Sequence, residues 1–285
     1  MSNRRDFFKK SLAGAAALTL PAIVANEAYG RSPSVHDGSI KIGYQLWPLR
    51  TQLLRDPESV FKLLKSNGVE GVEYSGMESI PAITYRLLQN KYNLPCCGIH
   101  HGLTQWETEG TVPRMEYSYI LGNSDLSCHW LDPHQRGSLE NYLSHSRFFN
   151  KIAAEVKANG FKFYYHNHAF EYTDVFGGKY AMDIMLENTD PALFHMQFHI
   201  AGLPASINLP RYTENLGGRL LSIHLPVLDR NGDLNPAVSQ DLIDAAKKSG
   251  SCKWFIIEQG APPDLAEGAA SIARTVDILR KMIFK

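Results

Sequence analysis

Chemically active side chains are concentrated at the point where one apolar run of the chain ends. The segment FKFYYHNHAFE, residues 161–171, begins like a buried strand and then presents His166, Asn167, His168 and Glu171. Imidazole and carboxylate groups can bind a metal ion or move a proton, whereas a strand gains no stability by ending in them. The segment therefore indicates a position in an active site.

Three later apolar runs end in the same way. FHMQFH ends at His199, LLSIH at His224 and KWFIIE at Glu258. With His166, these residues close four consecutive runs, and burying them together is costly unless a cation or a substrate satisfies them. Imidazoles combined with one carboxylate suit Mn, Zn, Co, Fe or Ni better than Ca or Mg. We therefore expect one divalent transition metal at this set of four residues.

The spacing of the apolar runs predicts the fold that positions these residues. Each run is followed by an amphipathic stretch of helical period. The eight runs occupy residues 39–46, 69–75, 94–101, 124–131, 161–168, 194–200, 220–226 and 253–259. Eight β-then-α units in about 250 residues match a (β/α)8 TIM barrel with a single domain. An open doubly wound sheet would need a glycine-rich dinucleotide fingerprint after its first strand, and YQLWPLR contains no glycine.

Several helix boundaries are also marked in the sequence. Asp56 is placed to cap a helix that stops at Gly68, and Ser138 begins a long helix that stops at Gly160. A further helix stops at Gly250. Short polar side chains favour the first position of a helix, and glycine favours the position after its end.

In such a barrel the active site forms at the carboxyl ends of the strands, so the last residues of each run are candidates. Seven of the eleven histidines lie there, although any one of them alone is more often a hydrogen-bonded structural residue. The predicted catalytic carboxylates are Glu258, Glu73 and Glu171. The predicted substrate-contacting residues are Gln45, His100, His101, Trp130 and His168.

These motifs, taken in order, resemble one known family. IGYQLWPLR, GVEYSG, YHNHAFEY, SIHL and FIIEQ make the chain similar to the sugar phosphate isomerase/epimerase family, xylose isomerase-like TIM barrels of the AP endonuclease family 2 superfamily. The likeness covers residues 39–285. The resemblance implies that His166, His199, His224 and Glu258 hold the metal. It also implies that a carboxylate removes a proton beside the carbonyl group of a sugar.

Several positions depart from the family pattern. His166 replaces the usual glutamate of the fifth strand, and His199 replaces the usual aspartate of the sixth. Pro226 and Val227 follow His224 where Lys-Asp is common. The first change removes a carboxylate that acts as a base in epimerases, so isomerisation, epimerisation and β-elimination all stay open. A non-catalytic periplasmic sugar-binding barrel is the alternative that these departures motivate.

The first thirty residues have the features of a twin-arginine export signal. Adjacent Arg4 and Arg5 precede an apolar stretch that is shorter than the roughly 20 residues of a spanning helix. The sequence predicts a signal at residues 1–30 and a barrel at residues 31–285. It also predicts a periplasmic location, the twin-arginine translocase as a partner during export, and no membrane span in the mature chain.

Charge and predicted location bear on the substrate. Lys and Arg number 29 and Asp and Glu 29, while residues 1–30 carry four bases and two acids, so the remainder is two units negative. The sequence has no basic patch of the kind that binds nucleic acid. This argues against phosphodiester hydrolysis of the endonuclease IV type. Phosphorylated sugars are mainly cytoplasmic, so we expect a free keto-sugar or a glycoside. Trp47, Trp106 and Trp130 are faces on which its ring could stack.

Overall fold

The computed structural model describes residues 39–76, 79–229, 231–259 and 265–285. The predicted export signal at residues 1–30 lies outside this part of the chain. Among the described helices, none is both long enough and apolar enough to cross a membrane.

Eight parallel strands of the described chain close into one barrel. They are β1 (Lys41–Gln45), β2 (Gly71–Ser75), β3 (Cys96–Gly102), β4 (Asp125–Trp130), β5 (Lys162–His166), β6 (Phe194–His199), β7 (Leu220–Leu225) and β8 (Trp254–Ile257). Strand β1 pairs with both β2 and β8, and the other strands follow in chain order. Each predicted apolar run overlaps one of these strands. The prediction of a single-domain (β/α)8 barrel is therefore confirmed.

Helices cover the outside of the barrel. They are α1 (Arg50–Arg55), α2 (Pro57–Ser66), α3 (Ala82–Tyr92), α4 (Leu103–Glu109), α5 (Val112–Leu121), α6 (Leu139–Ala158), α7 (Phe170–Thr173), α8 (Ala181–Glu187), α9 (Leu209–Leu216), α10 (Gln240–Lys248) and α11 (Leu265–Ile283). The side chains of Asp56 and Ser138 accept hydrogen bonds from the first turns of α2 and α6, at 3.1 and 3.2 Å, as caps do. A short antiparallel hairpin pairs Val175–Phe176 with Lys179–Tyr180.

The main hydrophobic core lies between the strands and the helices. Side chains alternate along a strand, so Phe163 and Tyr165 of β5 share one face while His166 takes the other. Both aromatic rings pack on Phe149 of α6, with centroid distances of 5.4 and 5.5 Å, and all three are fully buried. This packing holds β5 so that His166 faces the barrel interior.

A glycine makes room for a tryptophan inside the barrel. A Cβ atom on Gly71 would lie 2.7 Å from the ring of Trp254 and 3.1 Å from the backbone oxygen of Pro95. Gly71→Ala should therefore lower the free energy of unfolding by about 1–3 kcal/mol, because the half-buried indole must shift away from buried Gly71. Urea denaturation measures the loss. Gly218→Ala is the matched control, since a Cβ atom there meets nothing within 4 Å; equal stability of both variants would contradict the prediction.

Candidate active site

The carboxyl ends of the strands bring most of the predicted residues together. They are Gln45 on β1, Glu73 on β2, His100 on β3, His166 on β5, His199 on β6, His224 on β7 and Glu258 just after β8. Contacts run across the barrel, because Glu73 touches His224, which is 151 residues away in sequence. The site has a deep layer, formed by Gln45, Glu73, His100 and Gln197, and an outer group formed by His199, His224 and Glu258.

Glu73 is the centre of the deep layer. Its carboxylate accepts hydrogen bonds from Gln45 Nε2 at 2.8 Å and from Gln197 Nε2 at 2.6 Å. His100 Nε2 lies 3.2 Å from Oε2, and His224 Nε2 contacts the same oxygen more closely. Burial by itself would raise the pKa of Glu73, but His100 and His224 outweigh burial and hold that pKa well below its usual range. Glu73 is thus an ionised carboxylate with no exposed surface.

Gln197 belongs to the site, although it is not among the residues predicted from the sequence. Its Oε1 accepts hydrogen bonds from His100 Nε2 at 2.8 Å and from His166 Nδ1 at 2.6 Å, and its Nε2 also donates to Ser222 Oγ at 3.0 Å. These partners assign the amide orientation and place the ring protons on His100 Nε2 and His166 Nδ1. Spacing was the available signal, because Gln197 stands two residues before His199 and therefore shares its face of the strand.

The outer group is more open than the deep layer. Glu258 Oε2 lies 3.2 Å from His224 Nδ1 and 3.7 Å from His199 Nε2. Burial lowers the pKa of His224, but Glu73 and Glu258 outweigh burial and raise that pKa to about 9. Burial raises the pKa of Glu258, but the hydrogen bond and charge of His224 lower it to about 2. The side chain of Glu258 is still 29% exposed, so a ligand can reach it.

The outer group fits a divalent metal ion. Its three ligand atoms lie within 4.8 Å of one another. Two ligands on a tetrahedral metal, with bonds of about 2.0–2.1 Å, lie roughly 3.3 Å apart. The separations of 3.2 and 3.7 Å from Glu258 are close to that spacing. His224 also has the second partner that metal-bound histidines usually have, because Glu73 contacts its other ring nitrogen.

The fourth predicted ligand, His166, converges with other residues. Its ligand atoms group with those of His168 and His199, or with those of His100 and His224. His166 Nε2 lies 3.1 Å from His199 Nδ1, while its other ring nitrogen donates into the deep layer. The four predicted ligands are therefore neighbours, but no single set contains all four. His199, His224 and Glu258 form one set, and His166 belongs to two others.

Trp130 and His168 form one wall of the mouth. Their rings meet edge to face at a centroid distance of 5.0 Å, and Trp130 Nε1 donates to Asp132 Oδ1 at 3.0 Å. Trp47 is 45% exposed. Trp106 is fully buried and donates to a backbone oxygen at 2.9 Å, so its ring belongs to the core. Of the three predicted stacking faces, Trp130 is the one that contacts His168 at the mouth.

Two predicted residues are directed away from this site. The carboxyl group of fully buried Glu171 accepts hydrogen bonds from the Tyr165 hydroxyl group and, at 2.8 Å, from the backbone N–H of His168. His101 packs against Trp106 of α4, with a centroid distance of 5.9 Å. Both side chains therefore lie in the layer between barrel and helices.

Glu171→Gln should make folding less sensitive to pH. Burial raises the pKa of Glu171 from 4.5 to about 8, so between these two pH values the folded protein holds a proton that the unfolded chain has lost. This contribution to stability is fully present below the lower pKa and is lost as the pH rises through the higher one. Between pH 5 and 8, wild type should lose on the order of 4 kcal/mol relative to the glutamine variant.

Urea denaturation at several pH values measures this difference. Glutamine can keep both contacts, because its carbonyl accepts from the His168 N–H and its amide group donates to the Tyr165 hydroxyl. Glu140→Gln is the control, since that side chain is 74% exposed and should leave the pH profile unchanged. Parallel profiles for wild type and Glu171→Gln would show that Glu171 is ionised in the folded protein.

Comparison with known proteins bears on the fold. No protein-family model matches the chain, and a search of curated proteins finds no match. The chain is similar to the structure of a sugar phosphate isomerase/epimerase from Parabacteroides distasonis ATCC 8503, with a TM-score of 0.66 and 18% identity over 87% of this chain and 95% of that one.

Two further structures have the same architecture. One is D-psicose 3-epimerase from Clostridium cellulolyticum H10, with a TM-score of 0.64 and 9% identity over 86% of this chain and 99% of that one. The other is an AP endonuclease, family 2, from Brucella melitensis, with a TM-score of 0.58 and 13% identity over 81% of this chain and 96% of that one. The chain therefore shares the barrel fold of these isomerase, epimerase and endonuclease structures.

Proposed function

We propose that this protein is a metal-dependent enzyme of the sugar isomerase/epimerase type that acts on a non-phosphorylated keto-sugar or glycoside. The observation that carries the proposal is the outer group, whose separations suit one divalent transition metal such as Mn, Zn, Co, Fe or Ni. When bound, such a metal supplies Lewis-acid polarisation of a carbonyl group. The fold shared with an isomerase/epimerase and a D-psicose 3-epimerase supports the same class of chemistry.

Glu258 is the carboxylate that we assign as the general base. Glu73 and Glu171 are fully buried, whereas the side chain of Glu258 is 29% exposed. Glu258 Oε2 faces the two histidines of the outer group, and no group of the described residues donates to Oε1. Oε1 is therefore free to accept the proton from the carbon beside the carbonyl group.

Removal of the proton from the carbon beside the carbonyl group leaves an enediolate. The number of bases that can reach this enediolate determines which product forms. Epimerisation with two bases needs a carboxylate on each face of the substrate. Among the three predicted carboxylates, only Glu258 is accessible from the mouth, so we favour return of the proton by the same base, or expulsion of a leaving group from the β carbon. These outcomes are isomerisation and β-elimination.

The proposed location is the periplasm, reached through the twin-arginine translocase. This part of the proposal rests on residues 1–30 alone, in which Arg4 and Arg5 precede a short apolar stretch. A free sugar or a glycoside is the substrate class expected there, and no nucleic-acid partner is proposed.

Deuterium exchange in heavy water tests the function. The metal-loaded protein is incubated with free keto-sugars and 3-keto-glycosides, and NMR follows deuterium uptake beside the carbonyl group and release of the aglycone. Exchange or release should occur with at least one substrate and stop when a chelator removes the metal. Absence of stoichiometric metal, with sugar binding unchanged by chelator, would instead identify a non-catalytic sugar-binding barrel.

A further inference from the structure

The histidines at the mouth form a larger cluster than one metal ion needs. Besides the outer group, the ligand atoms of His166, His168 and His199 also lie within 4.8 Å of one another. The two sets share His199 and differ in every other member.

Two ring nitrogens are already turned toward each other in this second set. His166 Nδ1 donates to Gln197 Oε1 at 2.6 Å, so its Nε2 carries the lone pair and, without a metal ion, accepts a hydrogen bond from the N–H of His199 Nδ1. That Nε2 lies 3.1 Å from His199 Nδ1, close to the roughly 3.3 Å between two ligands on one tetrahedral metal. The other nitrogen of His199 faces Glu258 Oε2 at 3.7 Å. The two nitrogens of His199 therefore face two different sets.

His168 supplies the third nitrogen. Its Nδ1 is buried and has no hydrogen-bond partner among the described residues. A buried polar atom left unpaired is uncommon, and a bound ion is one of the explanations for it. The ring lies 4.9 Å from that of His166 and 5.7 Å from that of His199, between centroids, and Trp130 supports its edge. The unpaired nitrogen of His168 is thus an observation separate from the spacing of the three rings, and a bound ion would account for it.

We propose that His166, His168 and His199 form a second metal position beside the one in the outer group. The inference rests on the proposed function and deepens it, because it adds a second cation to the same pocket. An all-imidazole set suits Zn²⁺, Cu²⁺, Ni²⁺ or Co²⁺ and does not suit Mg²⁺ or Ca²⁺. His168 and His199 are both half-buried, so the position is reached from the mouth of the barrel.

Filling both positions has a consequence for protons. A histidine that binds two metals uses both ring nitrogens and must be an imidazolate. His199 would therefore release its remaining ring proton to the buffer when the second ion binds. The heat of binding in buffers of different ionisation enthalpy reports this proton without any measurement of activity.

The test counts metal ions bound per chain. Chelator-treated full-length protein is titrated with Zn²⁺ by calorimetry, and Co²⁺ absorption spectra report the type of ligand. Wild type should bind two equivalents, releasing the Nδ1 proton of His224 with the first and the remaining ring proton of His199 with the second. His168→Ala and Glu258→Gln should each bind one tight equivalent, at different positions. His134→Ala is the control and should bind two, because His134 is an exposed histidine outside the cluster.

The outcomes separate this inference from the proposed function. One equivalent in wild type, lost in Glu258→Gln and kept in His168→Ala, would overturn the second position and leave the first intact. Two equivalents in His168→Ala would also overturn it. Absence of any bound metal would overturn both proposals. If the alanine variant does not fold by circular dichroism, His168→Gln repeats the test with a side chain that fills more of the space.

Discussion

Replacing Glu258 by glutamine should slow deuterium exchange beside the sugar carbonyl by about 10²- to 10⁴-fold. The amide keeps the size of the carboxylate but cannot accept a proton. Burial favours the neutral acid, yet His224 lowers the pKa of Glu258 to about 2, so the carboxylate is ionised at neutral pH. It is also 29% exposed, which the other predicted carboxylates are not.

The same substitution weakens a metal ligand, so exchange and metal content must be measured together. Exchange is followed at saturating metal, because a neutral amide is a weaker ligand than a carboxylate. A slow but metal-loaded variant assigns Glu258 the role of base, whereas a variant that cannot be loaded assigns it to metal binding. Glu140→Gln should exchange at the wild-type rate. Wild-type exchange in Glu258→Gln would rule out Glu258 as the base.

The barrel could be predicted because its signals are local. Alternation along β5 and the cap of α6 at Ser138 depend on residues a few positions apart, so they can be read directly from the sequence. The histidines at the ends of β5, β6 and β7 could be placed for the same reason, since parallel strands end on one side of a barrel.

The contacts within the deep layer could not be predicted, although Gln45, Glu73 and His100 were predicted as site residues, because the partners are distant in sequence. Gln197 donates a hydrogen bond to Glu73, which is 124 residues away in sequence, and no local pattern around either residue predicts this contact. Gly98 is similar, because a Cβ atom there would collide with the carboxylate of Glu73 and lie 2.7 Å from the hydroxyl group of Tyr164. Gly98 leaves room for the side chain of Glu73 because it has no Cβ atom. This could not be predicted from the sequence near Gly98, since Glu73 lies on β2 and Tyr164 on β5.

The direction of a side chain at or after the end of a strand was also difficult to predict from the sequence. Glu171 follows β5 by five residues, and the chain turns there so that its carboxylate returns to Tyr165 in the helix layer. His101 follows His100 directly, yet alternation sends the two rings to opposite faces of β3. Residues that are close together in the sequence motif therefore do not all lie in the same site.

Glu73→Gln should lower the free energy of unfolding by about 3–5 kcal/mol, because it breaks a buried ionic network from one side. The groups around Glu73 are all donors: the amide nitrogens of Gln45 and Gln197, and Nε2 of His100 and His224. A glutamine would direct two N–H bonds at these donors. In the metal-free protein, the protonated ring of His224 would also lose the nearer of its two carboxylates.

Relief by rotating an amide is not available without further loss. Turning Gln197 to offer its oxygen to residue 73 would direct its NH₂ group at His100 and His166, which now donate to that oxygen. Urea denaturation at pH 7 measures the effect against Glu140→Gln, which should change stability by less than 1 kcal/mol. Gly98→Ala is a second probe, because it displaces the Glu73 carboxylate without altering its charge. A loss below 1 kcal/mol in Glu73→Gln would mean that the charge of Glu73 does not stabilise the fold. Losses in both variants would show that the packing around Gly98, which includes Glu73 and the hydroxyl group of Tyr164, also stabilises it.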